Sequence, residues 1–353
     1  MVFQSLLPYS RNQAWEETIA ALEDWTKGKP ARALFRISPP AVAQELSLDE
    51  GLATDVFLAG VLEGWFELRW DFHCPHCQGI PHITRHLHDA VAEGSCPACN
   101  VEFRNQLDAN VEVTFSAAPR LAVFADGEQE KLLDEYHRSM GAKQGTEKAR
   151  TLTGLGLLHR PFFHERFSDE VLSVEESLEI RQVVFLFTDI KGSTQLYEQL
   201  GDAKAYNLVR RHFTVLFDAI EALGGIVVKT IGDAVMASFR SGADAVKAAL
   251  AVHEAVGGIL IPGTEEAVVV KMGLHAGPAI AVTMNEQFDY FGQTVNKAAR
   301  IQNLAKNQEI YFSEALFQDP SVRRILAGRK AAVRRWKTQL KGIAGDQTVY
   351  SIN

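Results

Sequence analysis

No run in this chain of 353 residues approaches the roughly 18 consecutive apolar residues that a membrane-crossing helix needs, so no helical membrane span is expected. Its start, MVFQSLLPYSRNQ, lacks the charged opening and sustained apolar core of a secretory signal, and the expected location is cytoplasmic. Basic residues are in deficit. The formal net charge of -8 argues against a general nucleic-acid binder, because phosphate neutralisation supplies most non-specific affinity. A nucleotide pocket needs only a few local cations and stays open. Internal repeats and low-complexity tracts are absent. What remains is ordinary for a globular protein, with 46% hydrophobic and 23% charged residues and length for about two domains at roughly 100 to 200 residues each.

Cysteine is scarce, and all of it falls in one place: Cys74-Pro-His-Cys77 and Cys96-Pro-Ala-Cys99, with 18 residues between the pairs. Two such knuckles each present two sulfurs to a tetrahedral ion, the pattern of one structural Zn²⁺ per chain. Paired disulfides would need an oxidising compartment, and a thioredoxin-like motif needs only one CxxC. His73, His76, His82, His86 and His88 crowd the same segment and read as surface or supporting histidines, because four thiolates already complete the site. Between Trp70 and Arg104 four acids face two bases, which leaves this ribbon at -2 and a poor surface for nucleic acid.

Residues 1–120 read as an N-terminal helical and zinc-ribbon region. Its helix-like stretches are AWEETIAALEDWTKG and LATDVFLAGVLEGWF, and FELRWDF and VEVTFSAAP are strand-like. Residues 121–180 read as linker and lead-in, with DEYHRSMGAKQGTEKARTLTG as its flexible part. Residues 181–353 are more regular. Strand 183–188 precedes a long amphipathic helix with Val209, Phe213, Leu216, Phe217 and Ile220 at helical spacing. GGIVVKT and DAVMASF follow as a hairpin, then the helix GADAVKAALAVHEAV, the strand EAVVVKMGLHAG and the stretch PAIAVTM. A helix over 293–304 and strands near 332–341 and 347–351 close the chain. The order β-α-β-β-α-β is a ferredoxin-like core, so the second domain is α+β with a mostly antiparallel sheet.

The stretch VVFLFTDIKGST poses a question, since a strand apolar enough to be covered on both faces ends on a lone acid, Asp189. A carboxylate there suits a hard cation, and Gly192, Ser193 and Thr194 leave backbone N–H groups at a helix start for phosphate oxygens. Equally, Asp189 could simply cap the helix. Asp233 lies in the hairpin turn of TIGDAV, whose tip would come near the end of the first strand. Two carboxylates so placed repel unless a cation lies between them, which reads as a site for one or two Mg²⁺, although turn aspartates also occur for local reasons.

Taken together, FTDIKGST, KTIGDAVM, GLHAGPAIAV, FDYFGQTVNKAAR and LKGIAGDQTVY resemble the catalytic domain of class III nucleotide cyclases over about residues 181–353. The upstream ribbon is similar to a regulatory region found before some bacterial cyclases. The resemblance implies a lyase that converts ATP to 3′,5′-cyclic AMP and pyrophosphate, with two Mg²⁺ (or Mn²⁺) per active site. It assigns metal binding to Asp189, Asp233 and the carbonyl of Ile190, and adenine reading to Lys229 and Asp289. It gives Asn296 the ribose, Arg300 the charge on the transferring phosphate, and Lys341 the triphosphate. Lys297 is bulkier and more charged than that pattern expects and is read as pointing to solvent. A homodimer is also implied, with Asp189 and Asp233 from one subunit facing Lys229, Asp289, Asn296 and Arg300 from its partner. Two rivals remain: a catalytically silent cyclase-like regulatory module, and a zinc-ribbon partner-binding protein dimerised by a cyclase-like domain. A regulatory ligand or protein at the N-terminal region is left open.

Overall fold

The computed structural model describes residues 2–142, 151–307, 309–329 and 332–352. By its contacts the chain divides into two units, Met1–Glu179 with Val282–Phe288, and Ile180–Ala281 with Asp289–Asn353.

The first unit opens with three helices, α1 (Gln13–Thr26), α2 (Pro39–Leu46) and α3 (Glu50–Leu62). The Asn12 carboxamide accepts from the Trp15 N–H at 3.1 Å and the Asp49 carboxylate from the Leu52 N–H at 2.8 Å, so α1 and α3 each start on a side-chain cap. Strands β1 (Phe66–Phe72), β2 (His82–Thr84), β3 (Glu93–Cys96), β4 (Val101–Arg104) and β5 (Val111–Ala117) follow. Next come α4 (Glu128–Ala142), β6 (Leu152–Thr153), α5 (Gly154–Leu158) and α6 (Pro161–Arg166). One sheet runs β2-β1-β5-β6, and β3 pairs with β4 as a separate hairpin. Phe57 of α3 packs between Phe66 and Phe115, with ring centroids 4.9 and 5.3 Å away. The stretch expected to be a flexible linker is in part a helix, α4, whose amphipathic face includes Tyr136. Residues 143–150 of that stretch lie outside the described residues.

The second unit is one mixed sheet in the order β13-β14-β12-β10-β7-β9-β8, with β11 paired to β10. These strands are β7 (Leu178–Ile190), β8 (Ile226–Ile231), β9 (Ala234–Phe239), β10 (Val270–Met284), β11 (Gln287–Phe291), β12 (Ile310–Ser313), β13 (Arg334–Gln339) and β14 (Asp346–Ile352). The helices are α7 (Ser193–Leu200), α8 (Asp202–Ala222), α9 (Gly242–Val256), α10 (Gln293–Gln302), α11 (Glu314–Phe317) and α12 (Pro320–Gly328). The β7-α8-β8-β9-α9-β10 succession is the ferredoxin-like core, with β7 antiparallel to β9 and β9 to β8. EAVVVKMGLHAG and PAIAVTM join into the single strand β10.

Alternation sorts the sheet into two faces. Val184, Leu186, Val235 and Ala237 meet Leu208, Leu216, Ala245 and Ala249 of α8 and α9 in the main core. On the other face Ile301 and Ala305 pack with Tyr311, Leu340 and Val349, which seats α10. Gly273 makes that seating close, because a Cβ there would stand 2.2 Å from the Gln302 backbone nitrogen.

One core position breaks the apolar pattern. His212 of α8 is fully buried, and neither ring nitrogen has a hydrogen-bond partner. Burial holds its imidazole down to about 4, with the charge of Asp189 pulling the other way. The unfolded chain takes up a proton near the ordinary histidine value of about 6.5, whereas the folded protein does not until about 4. Stability is therefore fully present above about 6.5 and is lost as pH falls through that window. The variant His212→Leu loses nothing there. Denaturant unfolding should show its stability relative to wild type rising by about 2 kcal/mol between pH 8 and pH 5. A difference that does not change with pH would contradict this.

Candidate functional site

The buried run of β7, a central strand, leads to Asp189 near its C-terminal end, and the β8–β9 turn brings Asp233 beside it. The Asp233 carboxylate accepts from the Ile190 N–H at 3.1 Å and from the Ser193 hydroxyl. Burial first, and then the neighbouring Asp189 charge, push the Asp233 carboxyl above the usual carboxylate range. Only mutual proximity of the two acids gives that second effect. Gly192, at φ 70°, turns the chain into α7 directly after them, so Ser193 and Thr194 open that helix.

Sequence reading missed the cation already present in this cluster. Lys271, on the adjacent strand β10, places its amine 2.5 Å from Asp189 Oδ2. Its signal was available: a lone lysine inside the apolar run VVVKMGL needs a counter-charge. Here the amine sets a positive charge directly against one of the two carboxylates. This is the observation that fits the acids to a cation.

A second group forms apart from the first. Lys229 of β8 is ion-paired with Asp289 of β11. The Asp289 carboxylate is nearly buried, and its other oxygen accepts from the Tyr290 N–H at 2.8 Å. Among the described residues no hydrogen bond or ion pair joins this pair to Asp189 or Asp233. Asn296 and Arg300 sit four apart on α10, both exposed. Lys341 is exposed in the turn between β13 and β14. Lys297 departs from expectation. It is half-buried rather than solvent-directed, and burial lowers its amine while Glu314 of α11 partly restores it.

The cysteines do converge. Sγ of Cys74 lies 3.6 Å from that of Cys99, Cys77 is 3.6 Å from Cys96, and all four sulfurs fall within 4.8 Å of one another. A tetrahedron built on zinc–sulfur bonds of about 2.3 Å has edges of about 3.8 Å, so the thiol set has the size a zinc ion requires. The histidines around it are not uniformly superficial. His73 is buried, with Nε2 2.8 Å from Glu112 Oε2 and Nδ1 3.2 Å from the Gln78 carbonyl, and so it supports the first knuckle from behind.

Residues 175–353 match the family described as adenylate and guanylate cyclase catalytic domain, and residues 2–153 match a family of unknown function, DUF5939. The chain is 32% identical over 194 residues to the uncharacterized protein Rv1320c of Mycobacterium tuberculosis, covering 53% of this chain and 33% of that one. An adenylate cyclase of Mycosarcoma maydis is 32% identical over 168 residues, with 40% and 6% covered, and guanylate cyclase 32E of Drosophila melanogaster is 29% identical over 180 residues, with 48% and 15% covered. The chain thus spans a third or less of the length of these relatives. Among solved structures, the adenylyl cyclase CyaB from P. aeruginosa is similar at TM-score 0.45 and 20% identity, covering 50% of this chain and 96% of that one. The five motifs, the two converging acids and the match over the whole second unit lead to one assignment: the chain belongs to the adenylate and guanylate cyclase catalytic-domain family.

Proposed function

We propose that the protein is an adenylate cyclase, forming 3′,5′-cyclic AMP and pyrophosphate from ATP at a homodimer interface. The observation that carries the choice of ATP is the Lys229–Asp289 pair, an ammonium and a nearly buried carboxylate side by side. The Lys229 amine donates to adenine N1, and the Asp289 carboxylate accepts from the exocyclic amine. Guanine presents an acceptor and a ring N–H in the opposite places, so both groups would meet it unpaired. Each such mismatch costs about 1 to 3 kcal/mol, roughly tenfold or more in discrimination.

Asp189, Asp233 and the Ile190 carbonyl are the proposed ligands for two Mg²⁺ or Mn²⁺ ions. Bound there, the metals would supply Lewis acidity at the ribose 3′-hydroxyl and charge neutralisation at the triphosphate. The chain's own part is orientation. Backbone N–H groups at Gly192, Ser193 and Thr194 face the phosphates at the start of α7, and Lys341 adds a cation for the triphosphate. Asn296 positions the ribose, while Arg300 meets charge building on the transferring phosphate. Because Asp189 with Asp233 and Lys229 with Asp289 form separate groups, we assign them to different clefts of a two-fold dimer. Zinc at Cys74, Cys77, Cys96 and Cys99 is the proposed structural ion of the N-terminal region. Cytoplasmic location remains part of this reading, and among the described residues no helix is long and apolar enough to cross a membrane.

Purified chain incubated with ATP or GTP and Mg²⁺ or Mn²⁺ should give cyclic AMP as the dominant product on chromatography. The double variant Lys229→Glu with Asp289→Cys should lose ATP turnover sharply while its relative use of GTP rises, because a carboxylate then faces the acceptor N1 of adenine. Unchanged preference for ATP would remove these two residues from base recognition. Metal analysis of freshly reduced protein should return one zinc per chain, and Cys77→Ser should lose it and unfold the ribbon while the cyclase unit still melts as in wild type. A chain purified without zinc would overturn the assignment of the cysteines.

A further inference from the structure

The sheet β2-β1-β5-β6 of the first unit buries both faces, and one of them is polar. Phe66, Leu68, Trp70 and Phe72 of β1 join Val113 and Phe115 of β5 on the apolar side. The alternate residues pair as Glu67 with Ser116, Arg69 with Thr114 and Asp71 with Glu112. Such a face normally lies in water. Here Asp71, Thr114 and Ser116 are fully buried, and Arg69 is 8% exposed.

A layer of side chains closes over them. Arg36 donates from Nε to Asp71 Oδ2 at 2.8 Å and from Nη2 to Glu112 Oε2 at 3.1 Å. Burial works against its charge, yet Asp71 and Glu112 hold the guanidinium above the usual arginine value. The Tyr136 ring of α4 covers Arg36 at 4.0 Å, and the Phe35 ring covers Arg69 at 5.1 Å. Gln129 of α4 accepts from Arg69 Nη2 at 2.6 Å, and His137 accepts from the Ile80 N–H at 3.0 Å. The cover is thus fastened to this face by polar and cation–ring contacts.

Three side-chain atoms of this face are buried without a hydrogen bond; Glu67 Oε2 has the Arg85 guanidinium 3.2 Å away, which leaves two with no counterpart. Both hydrogen bonds to Asp71 go to Oδ2, one from Arg36 and one from Thr114 at 2.9 Å, while Oδ1 is buried without a donor. Two residues away on the same strand face, Arg69 Nε is buried without an acceptor. A carboxylate oxygen and a guanidinium N–H left dry and unpaired are costly, more so at low local dielectric. The charges around them already balance, with Arg36, Arg69 and Arg85 against Glu67, Asp71 and Glu112. An ionised guest would add an uncompensated charge.

We propose that this polar face, between Arg69 and Asp71 and beneath α4, is a binding site for an uncharged small molecule that presents a hydrogen-bond donor beside an acceptor. The donor meets Asp71 Oδ1 and the acceptor meets Arg69 Nε, with α4 opening to admit the guest and closing back over it. A lactam base, a primary amide and a vicinal diol share that chemistry, and uracil, nicotinamide and myo-inositol serve as probes for the three. Saturation-transfer NMR on the full chain should show one of them binding at millimolar concentration or below, and Arg69→Gln should weaken it by about tenfold or more. Hydrogen–deuterium exchange of the wild-type chain locates the same event without a variant: the bound probe should protect α4 and β1. If none of the three binds, the two atoms are served by water and the proposal fails. It fails also if binding survives Arg69→Gln unchanged, or if protection appears elsewhere and not at α4 and β1.

Discussion

Two carboxylates held side by side at the C-terminal end of a central strand are the constraint from which the rest of the second unit follows. Burial first, and then the charge of Asp189, push the Asp233 carboxyl upward. The cost of the pairing is offset by the Lys271 amine, the Ile190 N–H and the Ser193 hydroxyl. Rigid placement is needed to sustain it. The buried run from Val183 to Phe187 anchors one acid in the middle of the sheet, and the β8–β9 hairpin delivers the other. A loop-borne pair would relax apart. The strand ends on an acid that the fold holds beside a second carboxylate and against the Lys271 amine.

The second group obeys a different logic. Lys229 and Asp289 neutralise one another, and Tyr290 fixes the carboxylate from the backbone side. Asn296 and Arg300 sit on the exposed side of α10, whose other side is locked against the sheet at Gly273. Asn296 and Arg300 are thus exposed on a helix that is itself fixed against the sheet. Such an arrangement suits groups whose reaction partners come from another subunit.

Much of this was legible in the residues. FELRWDF forms β1 with the same ends the alternation implies, and the CxxC pairs converge at the spacing that two knuckles predict. VVFLFTDI shows its double-sided burial as an unbroken apolar run. What escaped reading depends on contacts distant in sequence. Helix α2 opens on Pro39-Pro40, which reads as a break until those prolines are seen at the first turn, where no amide donor is needed. Helix α4 is held on the sheet by Arg36 against Tyr136 and Arg69 on Gln129, pairs far apart in sequence. Lys271 lies in the strand stretch EAVVVKMGLHAG and His212 in the long amphipathic helix, and neither the partner of the first nor the burial of the second shows in the sequence around them. Only the fold puts the first on Asp189 and seals the second in the α8 core.

The central claim is that each catalytic cleft takes its metal acids from one chain and its base-reading and charge-stabilising residues from another. Asp189→Ala and Arg300→Ala homodimers should each be nearly inactive. When the two are co-expressed, a mixed dimer collects both lesions in one cleft and none in the other, so random pairing should restore about a quarter of wild-type activity if the clefts act independently. Cyclic nucleotide production by confirmed heterodimers is the direct measurement. About half of wild-type activity per isolated heterodimer, one intact cleft of two, is the predicted result, and heterodimers as inactive as either parent would contradict the shared cleft.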